Sequence, residues 1–182
     1  MRAEPLLLRP VTFLAALYEM HGELDKAEAL IQASNHLQGN EALRDQALIM
    51  IYLARRDSTA LRRVLADEGG RVSYVDDPQG SLKGLWERYA DATSRGAHGQ
   101  LIPVAIFAAF LGDHALSLEA LGTYAPTTQN LQGLWRPVLS EVRRRPGFDE
   151  LVEDLGLADY WRSSGNWGEF CAEIGSEEIT CR

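Results

Sequence analysis

The stretch VTFLAALYEMHGELDKAEALIQAS, residues 11–34, constrains the fold more than any other part of the chain. Val11, Leu14, Ala15, Leu17 and Tyr18 recur at helical spacing before Gly22, and Leu24, Ala27, Leu30, Ile31 and Ser34 do so after it. Two amphipathic helices joined by so short a link must turn back on each other as an antiparallel hairpin. Small Ala15 and Ala27 let the two backbones approach, while Tyr18 and Ile31 fill the space around them. One such hairpin cannot bury both of its faces, so the pattern calls for further hairpins beside it.

Those follow, separated by glycine-containing turns, and nothing along the chain reads as a strand. Residues 41–54 set Leu43, Ala47, Leu48, Ile51 and Tyr52 on one side. Asp57 or Ser58 caps a helix over residues 59–67, and Gly69 and Gly70 end it. RVSYVDDPQGS, residues 71–81, is the longest irregular connection, after which Ser81 caps a helix running to Ser94 that carries Leu82, Leu85, Trp86 and Tyr89. Residues 100–111 and 114–121 make another hairpin around LGDH, with Ala105, Ala108 and Ala109 as its close-packing residues. Pro137 suits the first turn of a short helix, Pro146 stops it, and residues 148–155 form one more, with Gly156 as its left-handed cap. The expected fold is all-α, an α-α superhelix of about eight or nine helices. It spans residues 1–156, and an aromatic capping tail over 157–182 belongs to the same domain.

A chain of 182 residues with 46% hydrophobic content is long enough to bury a core. Its net charge of -8 argues against a nucleic-acid partner for this region, since neutralising phosphates takes clustered Lys and Arg. The short basic runs at Arg55-Arg56, Arg62-Arg63 and Arg143 to Arg145 read as last-turn arginines favoured by the helix dipole. No stretch approaches the roughly 20 apolar residues that span a bilayer, and the apolar run of MRAEPLLLRPV is too short for a signal peptide. As written, the chain is expected to be soluble and cytoplasmic. Helical patterning starts a few residues after Met1 without a capping segment, as in the C-terminal piece of something longer.

The first hairpin resembles a tetratricopeptide repeat, with Val11, Leu14, Ala15 and Tyr18 on one helix, Gly22 at the turn, and Leu24, Ala27 and Ile31 on the next. Residues 134–171, LWRPVLSEVRRRPGFDELVEDLGLADYWRSSGNWGEFC, resemble the closing segment of bacterial tetratricopeptide-repeat regions attached to adenylate-cyclase or winged-helix regulator domains. Leu134-Trp135 with Pro137, Arg143 with Pro146 and Phe148, Leu155-Gly156-Leu157, Tyr160-Trp161, Trp167 and Phe170-Cys171 carry that likeness. Such tails usually have Pro-Asp between the tryptophan and the aromatic, where this chain has Gly168-Glu169. The resemblance implies a non-catalytic module that binds a protein or peptide, as the sensory or scaffolding C-terminal part of a bacterial regulator. It would lie in the periplasm if that regulator is membrane-anchored. Helical phase puts Thr12, Ala16, Glu19 and Arg44 on the concave lining. Two alternatives stand beside this: a small-ligand pocket bordered by Trp86, Tyr89 and Phe107, and a homodimer through the uncapped first hairpin.

Cys171 and Cys181 admit either a disulfide or two free thiols in a reducing compartment, and the resemblance favours pairing. Trp161, Trp167 and Phe170 are expected to fold back as a structural cap over residues 148–155. A stacking platform for nucleic acid would need a basic groove beside them. No catalytic constellation is expected, and no metal or cofactor. His21, His36, His98 and His114 lack metal-ligand spacing. Asp76 with Asp77, and Asp67 with Glu68, read as solvated acids rather than an acid–base couple. GAHGQ, residues 96–100, lacks the Lys and Ser/Thr of a phosphate loop. No serine sits in a nucleophile-elbow setting, and Cys171 has no activating base.

Overall fold

A computed structural model describes residues 8–34, 41–66, 73–125, 131–167, 169–174 and 178–181. Helices dominate these residues, and strand occurs among them only as one short hairpin. The chain divides into two compact units, Met1–Pro78 and Gln79–Arg182.

The first unit holds α1 (Leu8–Met20), α2 (Leu24–Ala33), α3 (Glu41–Arg55), α4 (Ser58–Ala66) and α5 (Ser73–Asp76). Gly22 turns α1 into α2 at φ +75°, a left-handed conformation that costs glycine nothing. The Gly22 and Glu23 amides donate to the carbonyls of Glu19 and Tyr18 at 2.9 and 2.8 Å. Ala15, Ala27 and Ile31 are buried at the centre of the pair. α3 packs on both helices and adds Ile49, Ile51 and Leu53 to the core. Asp57 caps α4, its Oδ1 accepting the Thr59 and Ala60 amides at 3.1 and 3.0 Å.

Two expectations for this unit change. α5 forms inside the connection read as irregular and buries Tyr74. α1 is also turned about its axis from the expected phase: its buried residues are Leu8, Ala15 and Glu19, while Leu14, expected inside, is 42% exposed beside Phe13 at 51%. The cause is visible in LRPVTFLAALYEM, where apolar side chains occur on all sides and so leave the rotation to the neighbouring helices.

The second unit begins within α6 (Pro78–Ser94), all of which but its first residue belongs to it. Proline's fixed φ and missing N–H suit the first helical position, so α6 starts at Pro78 and leaves Ser81, the expected cap, buried within it. A 3-10 turn (His98–Gln100) leads into α7 (Leu101–Leu111), which pairs with α8 (His114–Tyr124). Gly112 makes their turn at φ +89°, and Asp113 caps α8 by accepting the Leu116 amide at 3.0 Å. α7 is apolar throughout, with Leu101 and every residue from Val104 to Ala109 buried. Ser117 of α8 donates its hydroxyl to the Ala105 carbonyl at 2.8 Å, which settles the one polar side chain facing this seam.

Two 3-10 segments (Leu131–Trp135 and Pro137–Leu139), α9 (Ser140–Arg143) and α10 (Phe148–Asp154) follow. The tail over 157–182, expected as an aromatic cap without strands, forms α11 (Leu157–Ser164) and a β-hairpin of β1 (Cys171–Ile174) and β2 (Glu178–Cys181). The strands are antiparallel, with Cys171 opposite Cys181, and β2 packs on α10. Among the described residues there are eleven α-helices rather than eight or nine, because α5 and α11 form where no helix was expected. No helix among them is long and apolar enough to cross a membrane.

Candidate functional site

The residues expected to line a binding face lie on α1 and α3. Thr12 is half-buried and donates its hydroxyl back to the Arg9 carbonyl at 3.0 Å, while Ala16 and Arg44 are half-buried. Glu19 is different. At 1% exposure it belongs to the buried seam of α1 and cannot line a surface. Its place on the outside is taken by Phe13 and Leu14, whose apolar side chains face water.

Polar side chains fasten α2 to α3 nearby. Glu28 accepts from the Tyr52 hydroxyl at 2.8 Å and from Gln32 Nε2 at 3.0 Å, and pairs with Arg55, which also reaches Asp25. The Arg55 guanidinium holds the Glu28 carboxyl below the usual carboxylate range. Burial, with the Glu28 carboxylate beside it, pushes the Tyr52 hydroxyl up to about 12.

The three aromatics of the alternative pocket all lie in the second unit. Phe107 is buried in α7. Trp86 and Tyr89 meet edge to face at 6.1 Å on α6, and both reach α8. The Trp86 indole N–H donates to Asp113 Oδ2 at 3.0 Å, and the Tyr89 hydroxyl lies 3.3 Å from Thr123 Oγ1. These contacts commit the polar ends of both rings to helix packing.

At the C-terminal end the rings gather into one cluster around Trp135. Phe170 stacks on it at 5.3 Å with an interplanar angle of 14°, and Phe148 and Trp161 meet it at 6.2 Å each. Trp167 joins through Trp161 at 5.7 Å. Trp161, Trp167 and Phe170 are half-buried, and Tyr160 is exposed. Beneath Phe170 lies the Arg143 guanidinium, 5.6 Å from the ring centre and 4% exposed. Arg143 Nη1 donates to the carbonyls of Leu134 and Arg136 at 3.0 and 2.9 Å. Burial, with Arg144 adding repulsion, lowers its pKa to about 10, so the group is charged at neutral pH. Arg143 does fall in the last turn of α9, as expected, but its side chain is buried. The sequence offered one signal for Trp135 and Arg143, their place in the tail resemblance, but nothing in helical spacing marks a guanidinium as buried.

Cys171 and Cys181 are joined by a disulfide. Asp76 pairs with Arg62 at 2.7 Å, and His114 Nδ1 lies 3.0 Å from Arg145 Nη2. His36, Asp67 and Glu68 fall outside the described residues. Among the described residues no three His, Cys, Asp or Glu side chains come together to hold a metal. The chain matches no protein-family model, no curated protein and no solved structure.

Proposed function

We propose that this chain is a non-catalytic helical-repeat module, tetratricopeptide-like in build, that binds a protein partner as the sensory or scaffolding C-terminal part of a bacterial regulator. One observation carries the reading: on α1 a carboxylate is buried while Phe13 and Leu14 stand in water. A helix that is apolar on its outer side as well as its inner one is patterned to be covered on both. The paired helices α1/α2 and α7/α8, closed by alanines at their centres, fit a repeat architecture.

A photo-crosslinking side chain placed at Phe13 tests this in the source cells. Recovery of one protein partner, lost when Leu14 is also made polar, supports the reading. Recovery of none, together with a small molecule that raises the melting temperature strongly, overturns it. The same exposed pair favours a second reading, self-association through α1, and sedimentation at two concentrations separates a dimer from a monomer that needs a foreign partner.

A further inference from the structure

We propose that the C-terminal hairpin is a redox-operated lid, held over the Trp135 ring cluster while Cys171 and Cys181 are joined and released when they are reduced. The argument rests on where the disulfide sits, and it is independent of any partner. A two-stranded hairpin is marginal in water by itself, and this one pairs only four residues per strand. The disulfide closes its open end, directly after Phe170, whose ring stacks on Trp135. Its grip on the helices is divided between the strands. Phe170, just before β1, and Glu173 of β1, which accepts from Arg162 Nε at 3.3 Å, hold one side, whereas β2 brings Ile179, 3% exposed.

The covalent link makes these anchors one unit. Without it, β2 is held to β1 by the strand ladder, so Ile179 can leave without Phe170, and Phe170 is then held by its stack on Trp135 and by the Arg143 guanidinium beneath it. Cutting a loop of this length removes a constraint that favours the closed form about a hundredfold.

The chemistry balances with a dithiol reductant. Its thiolate attacks one sulfur, forming a mixed disulfide, and its second thiol displaces that sulfur. Two electrons and two protons pass to Cys171 and Cys181, and the reductant leaves as a cyclic disulfide. The chain has two cysteines, so no other pairing within it competes. Both are buried in the closed form, so attack waits on fraying of the hairpin rather than on unfolding of the helices.

The test uses the full chain with Trp86→Phe, so that Trp135, Trp161 and Trp167 alone report by fluorescence. Dithiothreitol without denaturant is expected to yield two titratable thiols and a red-shifted emission while the far-ultraviolet helical signal holds. Cys171→Ser with Cys181→Ser should show the same spectrum without reductant. Three results would each overturn the lid. One is unchanged emission in the reduced and double-serine proteins. Another is loss of helicity together with the shift, and the last is the appearance of thiols only under unfolding conditions.

Discussion

The Tyr52 hydroxyl donates to Glu28 Oε1 at 2.8 Å, joining α3 to α2 across 24 residues of sequence. Arg55, one turn further along α3, holds the other carboxylate oxygen. Glu28→Ala leaves the part-buried Tyr52 hydroxyl without its acceptor and Arg55 with Asp25, and should cost about 1–3 kcal/mol by chemical denaturation. Tyr52→Phe should cost about 1 kcal/mol, and a double-mutant cycle should show that the two losses are not additive.

The same pair fixes two pH dependences. Glu28 has a folded pKa below its ordinary 4.5, so its contribution is present above that value and is lost as pH falls through the folded pKa. Tyr52 is raised from 10.0 to about 12. Its contribution is intact below 10.0 and disappears as pH climbs toward 12. Glu28→Gln should flatten the acid limb, and Tyr52→Phe the alkaline limb, of a melting-temperature profile.

Glycines in α8 and its preceding turn should respond with opposite signs. Gly112 sits at φ +89° with open space around it, so Gly112→Ala pays only backbone strain and should lower stability by about 1 kcal/mol. Gly122 lies inside α8, also with open space around it. Gly122→Ala should raise stability by about 0.5–1 kcal/mol.

Arg143 is the polar anchor beneath the ring cluster. Arg143→Met removes the donor from two carbonyls, one of them buried, and should destabilise the second unit by about 2–4 kcal/mol. Arg143→Lys keeps the charge but not the fork, so thermal melts should show it well short of full rescue.

Phe13 and Leu14 carry the proposed contact and little of the fold. Phe13→Glu with Leu14→Glu should change stability by no more than about 0.5 kcal/mol for each exposed site. It should also abolish partner capture, or dimerisation if the partner is a second copy. Capture that survives the double change would remove α1 from the interface.

The α1/α2 and α7/α8 pairs were legible because each turns at a glycine, Gly22 and Gly112. Residues 114–121 read as helix, and α8 runs from His114 to Tyr124; Asp57 was one of two candidates for the cap it turns out to be. The rotation of α1 was not legible, since periodicity assigns a buried face only where a polar face opposes it, and Glu19 lies on the wrong side for that test. β1 and β2 escaped because four residues per strand are too few to establish an alternation. In the tail, the lack of a following repeat to cover the apolar side of residues 148–155 suggested that the rings fold back. What it could not supply was the central role of Trp135, which lies outside that stretch and meets Phe170 only through tertiary packing.

α7 has no polar side chain to turn toward water. As the chain emerges during synthesis, LIPVAIFAAFL appears before α8, the helix that covers it, has been made. Until HALSLEALGTY follows, the segment is a sticky apolar rod, the kind of intermediate surface that invites chaperones or aggregation. The hydrogen bond from the Ser117 hydroxyl to the Ala105 carbonyl, 2.8 Å long, therefore forms only when α8 has docked. Once α8 has docked, the most vulnerable piece of the nascent chain becomes its best-protected one.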